Sequence, residues 1–309
     1  MTGVTKFSKV SLFSGLNQLQ DITLDRRYAT LCGYTQGDLE STFAAHLNGV
    51  DWAALKHWYN GYQFLGEPVY NPFDILRFIS QGLEFRNYWF ESGSPRFLID
   101  LLQHRPLFLP DLESLVVSEE ILDAFEVEHI NPVTLLFQAG YLTIAKTTRE
   151  FGQLLFHLRI PNQEVRTALN NRLFDLYTGQ GESERPTWQR DMFTALSRGD
   201  LPALVATLQR LFAGIPWRNF TNNRLPEAEG YYASVLYAFF ASLDAEIIAE
   251  DVSSHGQADL VIKIAGYIYV IEIKRISTAR LPEGASNPAL AQIRERGYSR
   301  KYLGLPAQG

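Results

Sequence analysis

Two short apolar runs near the C-terminal end constrain this 309-residue chain more than any other stretch. They are Gly256-Gln257-Ala258-Asp259-Leu260-Val261-Ile262 and Tyr267-Ile268-Tyr269-Val270-Ile271-Glu272-Ile273-Lys274, joined by a turn at Ala265-Gly266. From Ile268 to Ile273 the second run is almost wholly Ile, Val and Tyr, the composition of a strand buried on both faces. Period two then places Glu272 and Lys274 on one face and Ile273 on the other, with Asp259 across the hairpin. A lone buried charge costs on the order of several kcal/mol, so a buried strand ending in Glu-x-Lys calls for a reason. Two carboxylates and an ammonium at one strand end suit a divalent metal beside a phosphate.

Such a metal would take hard oxygen ligands. Asp259, Glu272 and the backbone carbonyl of Ile273 supply them. Lys274 is placed to orient a water or to stabilise charge building up on a phosphoryl group. Glu229, on the preceding helix, can complete the ligand set or hold a second metal, and Gln292, one helix later, can position water or phosphate. The plainer alternative is that Asp259 caps a turn while Glu272 and Lys274 form a strand-end ion pair. The whole order favours the metal-and-phosphate reading: a helix with Glu, a strand, a strand opening in Asp, a strand ending in Glu-x-Lys, and a helix with Gln.

Composition narrows the class. Hydrophobic residues at 46% and charged residues at 20% describe a globular chain long enough for two or three domains. The one cysteine, Cys32, excludes an internal disulfide framework and reads as a small buried residue. No apolar run is long enough to span a membrane and no signal-peptide core precedes the first helix, so a cytoplasmic location is expected. The net charge of −6 argues against a whole-chain grip on nucleic acid. The charge is uneven, however: from Gly256 onward eight Lys and Arg face four Asp and Glu. The six histidines have no metal-ligand spacing, and His255 is the nearest to the strand-end cluster.

Along the chain, Val10 to Ser14 reads as a short strand or turn. Thr35-Gln36-Gly37-Asp38 reads as a capping box opening a helix that turns Leu39, Phe43 and Leu47 inward. His57 to Tyr62 reads as a helix ending at an Asn-Gly C-cap, and Asn71-Pro72 as a second helix start. Ser94-Pro95 opens another. A helix over Pro132 to Ala139 precedes a strand at Tyr141–Ile144, a turn at Thr147–Gly152 and a returning strand at Leu154–Ile160, which together form a winged-helix-like unit. Helices follow from Asn162, over Thr187–Ser197 and Leu201–Phe212, and through the apolar stretch Glu229 to Phe240. Ile247 to Ala249 is a first strand of the last domain, and Asn287–Arg296 its last helix.

Several of these motifs resemble a known family. Gln257 to Ile262, Tyr269 to Lys274, Ala289-Leu290-Ala291-Gln292-Ile293, Gly297-Tyr298 and Lys301-Tyr302 resemble the PD-(D/E)XK nuclease superfamily, in the branch fused to an AAA-ATPase-like domain. Thr2 to Ser11, Phe13 to Asn17, Tyr59-Asn60-Gly61-Tyr62, Tyr70-Asn71-Pro72 and Tyr88-Trp89 resemble the tail of that ATPase-like domain. The resemblance implies metal-dependent DNA cleavage, with Asp259, Glu272 and Lys274 at matching positions and Glu229 and Gln292 supporting them. No Gly-x-x-x-x-Gly-Lys-Ser/Thr occurs, so no P-loop is present and ATP hydrolysis by this chain is not expected. The family carries its P-loop upstream of where the sequence begins, so the expectation is a shortened chain.

The expected architecture is therefore α/β (α+β overall). Residues 1–125 would be an AAA-ATPase-like remnant with its helical lid, 126–215 a winged-helix-like and helical connector, and 216–309 a restriction-endonuclease-like α/β domain. The expected function is hydrolysis of DNA phosphodiester bonds with Mg²⁺ or Mn²⁺. The alternative is a non-catalytic module that binds nucleic acid or protein.

Overall fold

The computed structural model describes residues 20–91, 101–102, 107–122, 131–179, 183–215, 228–253, 256–274 and 286–304. The expected features at Val10–Ser14, Ser94–Pro95 and His255 lie outside them. The fold is mixed α/β, and the chain forms two compact units. The first takes residues 1–102 and 114–169, the second residues 103–113 and 170–309.

In the first unit the local signals act as their chemistry dictates. Helix α1 (Gln36–Thr42) opens on a complete capping box, in which Thr35 accepts from the Asp38 N–H and Asp38 accepts from the Thr35 N–H. Helix α2 (Trp52–Tyr59) is capped by Asp51, and α3 (Pro72–Ser80) by Asn71 with Pro72 at its first position. Leu39, Leu47, Leu55, Tyr59, Tyr70, Ile75, Phe78 and Tyr88 form one buried cluster. Tyr59 fixes the chain entering the single-turn helix Tyr88–Glu91: its hydroxyl donates to the Arg86 carbonyl and accepts from the Arg86 N–H, both at 2.9 Å.

Helix α2 ends at Asn60-Gly61 as expected, with Asn60 as its C-cap, but the cap is not the left-handed one that an Asn-Gly pair suggests. Helix α2 does not stop in a left-handed turn but runs straight into strand β1 (Asn60–Tyr62), with Asn60 extended. Gly61 is required for another reason: its φ is +128°, and a Cβ there would lie 2.0 Å from the carbonyl oxygen of Pro161. Strand β1 pairs with β2 (Val69–Tyr70). Cys32 is also corrected; it is exposed rather than buried.

Helix α4 (Pro132–Gln138) is followed by a hairpin of β4 (Thr143–Glu150) and β5 (Gln153–Arg159), with β3 (Val116–Ser118) on the other side of β5. The strands are longer than the sequence pattern suggests. The expected six-residue turn contracts to Phe151-Gly152, with Glu150 paired to Gln153.

A pair of carboxyl groups lies in the core of this unit. Asp74, in the first turn of α3, and Glu164, in the first turn of α5 (Gln163–Thr178), are both fully buried. The Trp89 N–H donates to Glu164 at 2.8 Å, while both Asp74 oxygens and the second Glu164 oxygen have no conventional donor. Burial pushes the pKa of each group above the usual carboxylate range, Glu164 further because the Asp74 charge adds to it. Two adjacent buried carboxylates cannot both ionise, and a hydrogen bond between them requires a shared proton. The pair therefore carries one proton between Asp74 and Glu164.

In the second unit, α6 (Arg185–Ser197) and α7 (Leu201–Gly214) pack as neighbours, and α8 (Ala228–Ala241) is apolar all round. Val235, Tyr237, Ala238, Phe239, Phe240 and Ala241 are fully buried, as such a helix requires. It lies against a three-stranded antiparallel sheet of β6 (Glu246–Ser253), β7 (Gly256–Ile264) and β8 (Tyr267–Ile271), in that order. Helix α9 (Pro288–Arg296) starts on the cap Asn287 and ends at Gly297 in the left-handed conformation. Beyond it, a 3-10 turn at Tyr298–Tyr302 sends Tyr298 and Tyr302 onto Val261 and Ala258, together with Ile293 of α9 and Ile248, Ile268 and Val270 of the sheet.

One expectation about this sheet is overturned. The strand buried on both faces is β7, where Ala258, Leu260, Val261 and Ile262 are fully buried. Strand β8 is half-buried and, among the described residues, stands at the edge. Its tyrosines explain the misreading: Tyr269 is only half-buried and sends its hydroxyl to the Leu196 carbonyl, and Tyr267 is 43% exposed.

Candidate active site

The β7–β8 register brings the strand-end residues together. Leu260 pairs with Ile271, so one step further places Asp259 opposite Glu272. Asp259 Oδ2 accepts a 2.6 Å hydrogen bond from the Ile273 N–H, which holds the chain beyond β8 alongside β7. Lys274 turns back to Glu272, with Nζ 2.9 Å from Oε1. Gln292, on α9, donates from Nε2 to the same Glu272 oxygen at 2.6 Å and to the Tyr298 hydroxyl at 3.0 Å. Three of the six residues singled out in the sequence, Asp259, Lys274 and Gln292, thus surround the carboxylate of a fourth, Glu272. Ile273 enters through its N–H. Glu229 lies in the first turn of α8, with its side chain outside the described set.

The Glu272 side chain is only 2% exposed, against 36% for Lys274. Burial raises the Glu272 pKa most, the Lys274 ammonium opposes it, and the Asp259 charge raises it again. The net effect is a carboxyl with proton affinity above the ordinary glutamate. Its second oxygen, Oε2, is buried without a hydrogen-bond partner. An unpartnered buried oxygen is costly, and a cation would satisfy it. Among the described residues no group of three or more His, Cys, Asp and Glu side chains comes together, and Asp259 and Glu272 are the two that face each other across the strand end.

Tyr298 is the site residue that reasoning on the sequence did not assign. It is 3% exposed and lies six positions beyond Gln292, past the left-handed Gly297, so helical spacing does not reveal it. Gly256 makes room for it: a Cβ there would come 3.1 Å from the Tyr298 hydroxyl. Gly256, Gln292, Glu295, Arg296 and Tyr298 line a cleft of about 490 Å³, joined to Glu272 through Gln292. A second anchor holds this corner from behind. Asp251 of β6, 6% exposed, pairs with Lys301 and accepts from the Tyr302 hydroxyl at 2.8 Å.

The open end of the β7–β8 hairpin thus carries two carboxylates, with a lysine two residues after Glu272 and a glutamine from the next helix. In agreement with this geometry, residues 227–308 match the PD-(D/E)XK nuclease superfamily and form a domain of that superfamily. The chain is also 45% identical over 303 residues to an Azotobacter chroococcum mcd 1 protein described as an "Uncharacterized protein in vnfD 5'region". That alignment takes in 98% of this chain and 57% of the relative, so the chain spans little more than half the relative's length. No solved structure gives a significant match.

Proposed function

We propose that the domain at residues 227–308 hydrolyses phosphodiester bonds in DNA with a divalent cation, Mg²⁺ or Mn²⁺. The observation that carries this reading is the buried, unpartnered Oε2 of Glu272 beside Asp259, with Lys274 on the solvent side. Asp259 and Glu272 would hold the cation, with the Ile273 carbonyl and Glu229 as further donors. When bound, the cation supplies Lewis-acid polarisation of the phosphoryl oxygen and a lowered pKa for water. Lys274 orients the attacking water and offsets charge developing on the phosphate. Gln292 fixes the carboxylate that does the binding, and its location at the cleft lets the phosphate approach the same corner.

For residues 1–125 the reading offered is the helical lid of an AAA-ATPase-like domain, and for 126–215 a winged-helix-like connector, both supported by sequence motifs. ATP is not a cofactor of the function proposed. Among the described residues no helix is long and apolar enough to cross a membrane, and a cytoplasmic setting suits a DNA substrate.

A second reading, a non-catalytic binding module, draws on the fact that Glu272 Oε1 already has both Lys274 and Gln292 as donors. Conversion of supercoiled plasmid to nicked circles separates the two. The catalytic reading expects nicking that needs Mg²⁺ or Mn²⁺ and disappears in Asp259→Asn and Lys274→Ala. Nicking that persists in both variants sinks the assignment, and absence of cation uptake by calorimetry favours the module.

A further inference from the structure

Strand hairpins close on residues that accept a positive φ, and Asn, Asp or Gly does so at least cost. The β4–β5 hairpin closes on Phe151 (φ +52°) and Gly152 (φ +78°). An aromatic residue in the left-handed region is strained. Phe151 is also 100% exposed, so its whole ring stands in water. Two costs are borne at one position, and among the described residues none packs on the ring to offset them.

The flank of the same hairpin carries the second observation. Thr147, Thr148 and Arg149 of β4 and Leu154 of β5 join Arg26 and Leu65 around a cleft of about 320 Å³. No acidic side chain lines it. Neither Arg26 nor Arg149 has an ion-pair partner among the described residues; the neighbouring Asp25 is taken by Arg27. Glu150, next along the strand, faces the Thr148 hydroxyl at 3.4 Å. The result is two guanidinium groups and two hydroxyls beside a projecting aromatic ring. Guanidinium forks match phosphate oxygens, and an exposed ring matches an unstacked base.

We propose that the β4–β5 hairpin is a binding site for single-stranded nucleic acid, with Phe151 stacking on a base and Arg26 and Arg149 holding the adjoining phosphates. The inference rests on the nuclease reading of residues 227–308 only in making nucleic acid the polyanion in question. A protein partner would have to be acidic to engage both arginines, and an acidic partner offers no base for the Phe151 ring to stack on.

The test is fluorescence anisotropy of the full chain with a short fluorescein-labelled single-stranded DNA, in EDTA so that no cleavage occurs. Phe151→Ala is expected to weaken binding about tenfold, within the range for one stacked base. Arg26→Ala and Arg149→Ala should each reduce the slope of log affinity against log salt by about 0.7. Phe151→Trp should retain binding, with its indole fluorescence quenched by the strand. Circular dichroism checks that each variant is folded, which full exposure of the side chain favours. Phe151→Ala binding as tightly as the unaltered chain overturns the proposal, as does a chain that binds duplex alone. A protein that nicks plasmid but is indifferent to Phe151→Ala loses this proposal and keeps the nuclease reading. One that needs Phe151 to bind yet never nicks loses the nuclease reading alone.

Discussion

One side chain amide, that of Gln292, bridges Glu272 and Tyr298, donating at 2.6 Å to the carboxylate and at 3.0 Å to the phenol. The strand end is therefore held from the helix that follows it, and the phenol fixes which way the amide faces. Such outer contacts orient a ligand without touching what it binds.

Removing the bridge should separate positioning from folding. In Gln292→Ala, plasmid nicking is expected to fall about 10- to 100-fold, the usual effect of losing a partner that orients a metal ligand. Thermal stability should change little, because no residue of α9 is fully buried. A variant that nicks at the normal rate would show that Glu272 needs no orientation from the helix.

The buried pair Asp74–Glu164 predicts a pH dependence for the first unit. Glu164 has a folded pKa raised well above its ordinary 4.5, so the folded state holds a proton that the unfolded chain releases. Its contribution to stability is complete below that ordinary value and is lost as pH rises through neutrality and beyond. Melting temperatures measured across that range should decline, and Glu164→Gln should flatten the decline by keeping a neutral donor beside Asp74. Equal slopes in the two proteins would remove the shared proton from the account.

Gly61 predicts a loss of a different kind. With φ at +128° and the Pro161 carbonyl 2.0 Å from any added Cβ, Gly61→Ala must either move the Pro161 segment or distort β1. The expected cost is about 2 kcal/mol or more, seen as a lower urea midpoint with an unchanged slope. Gly152→Ala, which has a positive φ but open space around it, should cost less.

The parts of the fold legible in the sequence were those fixed by nearest neighbours. The capping box at Thr35 and Asp38 and the cap at Asn71 bind groups two or three residues away, so the local sequence alone exposes them. The convergence of Asp259, Glu272 and Lys274 was legible as well, because a two-residue turn and period two determine which side chains meet. Tyr298 was not, since its position depends on a chain reversal at Gly297. Strand β8 was misjudged because tyrosine counts as apolar in a pattern while its hydroxyl can reach a carbonyl at the rim. The Asp74–Glu164 pair left no local trace: each acid occupies the first turn of its helix, where an exposed acid would be ordinary.

The hydrogen bond from the Ile273 N–H to Asp259 has a consequence for how this corner is dissected. Strand β8 ends at Ile271, and two residues later a side chain does what a main-chain carbonyl would do had the ladder continued. Asp259 is thus a surrogate backbone acceptor as well as an anionic group. Truncating it to alanine would release the tether on Lys274 and remove a charge in the same stroke. Asparagine preserves the acceptor and deletes the charge alone, so the contrast between the two replacements reads out how much of this aspartate's importance is scaffolding and how much is electrostatic.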